Sequence, residues 1–513
     1  MFPLSSGGSS HTLALESEQA TMRLVAEIAA ALKPGDLITL SGDLGAGKTT
    51  FARALIRHLA NDPAIAVPSP SFTLMQTYDL NGVAVVHADL YRLDGPGELS
   101  ELGFDDMPKD ALVLLEWPDR AAGFLPEARL DIAFTLVPQR GAEYRNVRIT
   151  GYGSFGPRAE RIAAVRTFLE ANGFAGATRR RIQGDASTRS YERLTLGDRH
   201  VILMNAPRQP DGPPIRDGKP YSAIAHLAED VKPFVAMAEG LSQRGLSAPQ
   251  VIASDLTRGL LILEDLGDDK VVAGEPPAPV EERYAAAVDC LVHLHGQQLP
   301  DTLPVSAHLS HTLPHYDMDA LMIEVELLLD WYLPHQGVPV SAATADAYRA
   351  LWREALHGVI DKDNTWVLRD YHSPNLMWLA EREGVGRVGL LDFQDAVMGP
   401  AAYDLASLLH DARVDVPEAM EVSLLGRYVR ARRADDPRFD PAPFIRAYST
   451  LAAQRASKIL GIFARLDRRD GKPQYLRHMP RVWNYLQRAL AHPSLSPLAA
   501  WMRTNVPEPT TRP

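Results

Sequence analysis

The octapeptide GDLGAGKT at residues 42–49 constrains this chain more than any other stretch. Gly42, Gly47, Lys48 and Thr49 satisfy the pattern G-x-x-x-x-G-K-[ST], in which glycines let backbone N–H groups close around phosphates at a helix N-terminus. The flanks supply the context such a loop needs. DLITL, just before it, reads as a short strand, and TTFARALIRHLA, just after it, has helical spacing, so the order is strand, loop, helix. Gly42, Asp43, Gly45, Ala46, Gly47, Lys48, Thr49 and Thr50 are therefore expected to bind ATP. Lys48 would reach the β- and γ-phosphates and Thr49 would offer its hydroxyl to Mg²⁺, with a carboxylate at a later strand end completing the metal shell.

Around this loop, SEQATMRLVAEIAAALKPG reads as a helix ending at Pro34-Gly35, and further strands are expected at FTLMQTYDL, VAVVHADL, ALVLLEW, LDIAFTLVP and YRNVRIT. At 513 residues the chain has room for two or three domains, and with 46% hydrophobic and 23% charged residues it should fold throughout. The net charge is −11, and residues 1–155 hold 12 basic against 19 acidic side chains. Neither part is a basic nucleic-acid binder, so no direct high-affinity nucleic-acid contact is expected. Cys290 is the only cysteine, which excludes an intramolecular disulfide and a cysteine-rich metal site. No apolar run suggests a membrane span, and the start lacks the basic and apolar regions of a secretory signal, so the expected location is the cytoplasm.

Three later pieces follow the loop in order: PSPSFTL at 68–74, HADLYRL at 87–93 and LLEWPDR at 114–120. With the P-loop they resemble the TsaE family of small ATPases, over nearly the whole of residues 12–150. The resemblance implies that Lys48 and Thr49 handle phosphate and Mg²⁺ and that Ser71 and Thr73 lie in a nucleotide-sensing loop. It also implies that Asp89 and Glu116 serve the metal or the attacking water, with Glu116 a metal ligand beside Thr49 and with Trp117 next to them. That family acts on the partner proteins TsaB and TsaD in attaching threonylcarbamoyl to an adenosine of certain tRNAs.

GYGSFGPRAE at 151–160 is dense in Gly and Pro and is read as the linker, giving a first domain over 1–152 and a second over 158–513. The second is expected to have an N-lobe at about 175–266 and a mainly helical C-lobe at about 280–505, interrupted only by LRDYHSPNLMWL and the strand-like RVGLLDF. Asp370 and Asn375 stand five apart, as in the kinase D-x-x-x-x-N arrangement, and Asp392 follows an apolar strand as a D-F-G-like metal ligand would. QGDASTRSYERL is the candidate phosphate loop, through Gly184, Ser187, Thr188 and Arg189. LEDLG at 263–267 is the candidate adenine-binding connection, through Glu264 and Leu266. The triplet His308, His311 and His315 is discounted as a zinc site because Pro314 interrupts it, and His293 and His295 because residues two apart on a helix diverge.

These pieces resemble the aminoglycoside phosphotransferase-like (APH) kinases, and more narrowly the AmgK group, through GDASTRSY, LEDLGD, RDYHSPNLMWL, GLLDFQDAVMGPAAYDLASLL and KILGIFARLDRRDGKPQYL. The resemblance implies phosphorylation of the anomeric hydroxyl of N-acetylmuramic acid or N-acetylglucosamine. Asp370 would be the base, Asn375 and Asp392 the Mg²⁺ ligands and Asp404 a brace for the loop. Two positions depart from the pattern. Leu368 stands where a loop-supporting His is usual, and Met204 where a β3 lysine would meet the α/β-phosphates, a charge that Arg189 or Arg193 would have to supply. The expected fold class is α/β, with an N-terminal P-loop NTPase domain followed by a two-lobed, protein-kinase-like α+β domain. The alternatives are an APH-type kinase for an aminoglycoside or choline-like substrate, and a non-catalytic pseudokinase regulating the ATPase.

Overall fold

The computed structural model describes residues 8–80, 82–93, 98, 108, 110–121, 123–182, 189–360 and 364–510. It divides into two compact units, residues 1–205 and 206–513.

The first unit is built on a seven-stranded sheet of order β1-β7-β6-β2-β5-β4-β3. Its strands are β1 (Ser9–Leu15), β2 (Leu37–Ser41), β3 (Met75–Leu80), β4 (Val83–Asp89), β5 (Leu112–Glu116), β6 (Arg129–Leu136) and β7 (Arg145–Tyr152). β2 is central and lies parallel to both β5 and β6, so its C-terminal end opens at the edge where α/β folds gather ligands. Helix α1 (Glu18–Ala31) starts at Ser17, whose side chain accepts from the Ala20 N–H, and α2 (Lys48–Ala60) follows the P-loop. Leu24, Val25 and Ile28 of α1 and Phe51, Leu55 and Ile56 of α2 are buried with Ile38, Leu40 and Ile132 of the sheet. Each such side chain contributes about 1.5–3 kcal/mol.

Two features of this unit differ from expectation. β1 is not among the expected strands, yet it pairs antiparallel with β7 from Ser9 to Leu15. Only one face of it is apolar, which leaves little signal at the sequence level. The second is the stretch expected to be a linker. β7 runs on to Tyr152, one turn follows, and α3 (Gly156–Ala171) begins at once with Phe155 buried beneath it. Arg158 of α3 makes a two-pronged contact with Asp36 at 2.6 and 2.7 Å, so the Gly and Pro residues here make a tight corner. The antiparallel strands β8 (Thr178–Ile182), β9 (Ser190–Leu196) and β10 (Arg199–Asn205) then follow within the same unit. Arg179 of β8 links Glu192 of β9, at 2.7 Å, to Glu27 of α1 at 3.6 Å.

The second unit opens with α4 (Tyr221–Ile224), α5 (Lys232–Ser242) and the hairpin of β11 (Val251–Asp255) and β12 (Leu260–Glu264). Helices α6 (Glu281–His295) and α7 (Met318–Leu327) come next, and the 30-residue helix Pro441–Asp470 runs through the middle of the later part. That helix packs closely on the C-terminal end of α7, and a Cβ on its Gly461 would lie 2.4 Å from the Leu327 carbonyl group. Among the described residues from 281 on, three short antiparallel pairs accompany the helices where one strand is expected. They are Thr302–Ser306 with Leu309–Thr312, Asn364–Val367 with Val397–Pro400, and Leu376–Trp378 with Val388–Leu390. Strands of three or four residues are too short to show a period, but the last two pairs fix both ends of the loop that carries Asp370. Among the described residues no helix is long and apolar enough to cross a membrane.

Candidate active sites

In the first unit the strand ends deliver the expected side chains to one place. Gly42 has φ +129°, and a Cβ there would lie 2.3 Å from the Phe134 carbonyl oxygen, so only glycine lets the chain leave β2 beside β6. Lys48 Nζ donates to the carbonyls of Gly42 at 2.7 Å and Asp43 at 3.0 Å, and sits 3.7 Å from the centre of the Trp117 ring. Burial lowers its pKa, opposed by Glu116, Asp89 and Asp43. Thr49 Oγ1 donates to Glu116 Oε2 at 2.8 Å, and Glu116 Oε1 meets His87 Nε2 at 2.9 Å. Asp89 is directly opposite Glu116 in the parallel β4–β5 ladder. Burial, with Glu116 beside it, pushes the Asp89 carboxyl up although the Tyr91 N–H binds it at 3.0 Å.

A hydroxyl and two carboxylates at the end of the phosphate loop suit a hard cation that takes oxygen ligands and leaves the rest of its shell to phosphate and water. The turn carrying half-buried Ser71 and exposed Thr73 is clipped to this site, since Leu74 N donates to Pro70 O and Asp89 N donates to Leu74 O, at 2.6 and 2.9 Å. Two residues here escape sequence reasoning. His87 is buried inside HADLYRL, and Arg145 reaches from β7 to donate to Ala46 O at 2.9 Å behind the loop. Only the adjacency of β4 to β5, and of the phosphate loop to β7, assigns them.

Gly42→Ala should reduce ATP hydrolysis in the absence of any sugar by at least about tenfold, because the added methyl must displace backbone in a conformation that costs 1–3 kcal/mol for other residues. An unchanged hydrolysis rate would refute this account of the loop.

In the second unit, strand Asn364–Val367 leads into Leu368, Arg369 and Asp370. Asp404, fully buried on helix Ala402–Leu409, accepts from the N–H of Leu368 at 2.6 Å and of Arg369 at 2.9 Å. The loop is thereby gripped through its backbone, with Leu368 buried where a supporting His is usual. Asn375 Nδ2 donates to the Asp370 carbonyl at 3.0 Å and comes 3.5 Å from Asp392 Oδ2, while Gln394 holds the other Asp392 oxygen at 2.9 Å. Asn375 and Asp392, separated by 17 residues in sequence, thus stand side by side, as two residues that would hold a hard cation through their oxygens could.

Asp370 Oδ1 lies 3.7 Å from Arg455 Nη2 and 3.9 Å from His372 Nε2. Burial alone would raise its carboxyl, but Arg455, with His372, Lys458 and Arg369, holds it below its ordinary value. Arg455 and Lys458 share a face of helix Pro441–Asp470, and neither is singled out by sequence reasoning; their i, i+3 spacing in an apolar helix was the available signal. Glu324 is fully buried and binds Arg369, Lys458, Gln454 and Tyr316.

The adenine-site expectation falls on residues engaged elsewhere in part. The Glu264 N–H donates to Gln250 O at 2.9 Å and its side chain meets Arg382 at 2.5 Å, while Leu266 is buried. Gly184, Ser187 and Thr188 lie outside the described residues. Met204 is paired with Tyr191 across β10–β9, and Arg193 with Ile202, which puts Arg193 on the same sheet face as Met204. Arg189 immediately precedes β9.

Two family models match the chain. One, described as threonylcarbamoyl adenosine biosynthesis protein TsaE, matches residues 15–144, and the other, described as the phosphotransferase enzyme family (APH), matches residues 178–442. An N-acetylmuramate/N-acetylglucosamine kinase of Caulobacter vibrioides is 42% identical over 69% of this chain and 99% of its own length. A protein of the same description from Pseudomonas aeruginosa is 34% identical over 61% of this chain and 84% of its own. For the first part, the tRNA threonylcarbamoyladenosine biosynthesis protein TsaE of Rickettsia bellii is 37% identical over 24% of this chain and 85% of that protein.

Proposed function

Because the chain belongs to the phosphotransferase enzyme family and carries a TsaE-family domain ahead of it, we propose that it does two separate jobs, each with its own ATP and Mg²⁺. The second part phosphorylates the anomeric hydroxyl of N-acetylmuramate or N-acetylglucosamine, and the first is an ATPase that drives TsaB- and TsaD-like partner proteins in tRNA threonylcarbamoyladenosine formation. The functional division falls near residues 152–158, and both activities are cytoplasmic.

In the kinase, Asp370 accepts the proton of the sugar hydroxyl as its oxygen bonds to the γ-phosphorus in line with the departing ADP. Asn375 and Asp392 hold Mg²⁺, which offsets charge on the phosphates. Glu264 and Leu266 flank the adenine site, the former through its carbonyl. In the ATPase, Thr49 and Glu116 hold Mg²⁺, Lys48 turns to the β/γ-phosphates, and Asp89 positions the attacking water.

The observation that carries the sugar-kinase reading is the charge around Asp370. Arg455 and His372 lie 3.7 and 3.9 Å from the carboxylate, and Lys458 and Arg369, both paired with Glu324, act on it electrostatically. The Arg455 cation beside the carboxylate favours a neutral or anionic acceptor over the polyamines and quaternary amines that an aminoglycoside or choline kinase must bind. Phosphorus NMR of the full chain with Mg-ATP and each sugar tests the division of labour. A sugar 1-phosphate signal should persist in Lys48→Ala while ATP hydrolysis without sugar is lost. No sugar phosphate from the wild type would remove the kinase assignment, and loss of both activities in Lys48→Ala would remove the separation.

A further inference from the structure

β4 ends with His87, Ala88 and Asp89, and residues two apart on a strand share a face, so His87 and Asp89 are turned to the side on which Glu116 lies opposite Asp89. His87 is 0% exposed and Glu116 1%. The bond between His87 Nε2 and Glu116 Oε1 is 2.9 Å long, and because a carboxylate only accepts, its hydrogen is carried by Nε2. The other nitrogen, Nδ1, is buried without a hydrogen-bond partner. The cross-strand neighbours of His87 do not provide one: Leu114 is apolar, and the side-chain oxygen of Gln76 accepts from the Tyr78 hydroxyl at 2.7 Å.

An apolar residue would fill the same place and leave no nitrogen unpaired, so packing does not account for an imidazole here. The bond to Glu116 does. The last torsion of a glutamate side chain is broad, and one bond to one oxygen leaves the plane of the carboxylate free to turn. In Glu116 the two oxygens are held from two different elements, Oε1 by His87 of β4 and Oε2 by the Thr49 hydroxyl of α2 at 2.8 Å. Together the two bonds fix the plane.

Resting on the reading in which Thr49 and Glu116 hold Mg²⁺, we propose that His87 is a positioning residue for that pair. Its Nε2–H grips Glu116 Oε1, keeps Oε2 turned to the Thr49 hydroxyl, and so sets out the oxygen donors for a hard cation before nucleotide arrives. His87, buried against Glu116, acts only through it. A residue that orients a ligating carboxylate in this way changes metal affinity by about 10–100-fold when it is removed.

The test is Mn²⁺ binding to the full chain with ADP present, followed through the EPR signal of free Mn²⁺. The site that disappears in Thr49→Ala is the one scored, which separates it from the metal of the kinase part. In His87→Leu that site should weaken by about tenfold or more. Metal-free ADP binding by the P-loop, identified as the component lost in Lys48→Ala, should stay within about twofold of wild type, since it depends on backbone N–H groups and Lys48. His87→Gln, whose side-chain amide can offer an N–H where Nε2 stood, should keep the Mn²⁺ affinity within about threefold of wild type. Unchanged Mn²⁺ affinity in His87→Leu would overturn the proposal, and so would loss of the metal-free ADP component in both variants, the mark of a merely structural role. If His87→Leu did not fold, His87→Gln alone would decide, with wild-type affinity as support and a lost Mn²⁺ site beside intact ADP binding as refutation. If Thr49→Ala removed no Mn²⁺ site, the metal reading itself would fall and the proposal with it.

Discussion

Asp370→Asn is expected to lower sugar phosphorylation by roughly 10³-fold, within the span that a positioned general base contributes, while ATP hydrolysis without sugar is unchanged. The substitution is nearly isosteric. Asn375 bonds the Asp370 backbone carbonyl and Asp404 bonds the preceding N–H groups, so the loop's own restraints survive it. What disappears is the anion flanked by Arg455 and His372. Because the Arg455 guanidinium, with lesser help from its neighbours, holds the wild-type carboxyl below its ordinary value, the carboxylate is ionised throughout the neutral range, and the kinase pH profile should show no acid limb above the ordinary carboxylate range. A loss of less than tenfold in single-turnover assays would mean that Asp370 is not the base.

The second large effect is on stability. Glu324→Gln should destabilise the second unit by about 3–5 kcal/mol, since removing one member of a buried ionic group leaves the others uncompensated. Glu324 is 0% exposed, with Arg369 at 2.5 Å, Lys458 at 2.7 Å, Gln454 at 2.9 Å and the Tyr316 hydroxyl at 2.5 Å. Burial alone would raise its pKa, yet Lys458 and Arg369 hold it at about 2 against an ordinary 4.5. A depressed pKa gives stability that is present above 4.5 and is lost as pH falls from there towards 2. The difference amounts to roughly 3 kcal/mol by proton linkage. Urea unfolding of wild type and Glu324→Gln across that window should show an acid-dependent loss larger in the wild type by roughly that amount. A variant as stable as wild type at pH 7 would refute the role given to this group. Arg369 has φ +67° immediately before Asp370, and its carbonyl accepts from Arg455 at 2.9 Å, so the same network also holds the catalytic loop in shape.

Legibility in the sequence followed the range of the physics involved. The P-loop could be read because phosphate binding needs glycine at fixed offsets and a strand and helix on either side, all within about 25 residues. The kinase loop could be read because Asp370 and Asn375 are close in sequence and Asp392 follows an apolar strand. Where the signal was diluted, sequence reading failed: β1 buries one face at a sheet edge, and the corner at 151–160 has a linker's composition but a buried Phe155 and an Arg158–Asp36 ion pair. Three- and four-residue strands around the catalytic loop are below any periodic window.

The sequence by itself determined which groups are expected to act on phosphate, because glycine spacing, a lysine after it and a D-x-x-x-x-N loop are local requirements of that chemistry. Tertiary structure alone decided what surrounds those groups. His87 meets Glu116 only because β4 lies beside β5, and Arg145 reaches the P-loop only because β7 closes the sheet. Arg455 and Lys458 reach Asp370 and Glu324 across 85 and 134 residues, over a helix crossing that Gly461 keeps close. Charge and burial act through space over a few ångströms, and no pattern along the chain records which distant side chains folding will bring within that range.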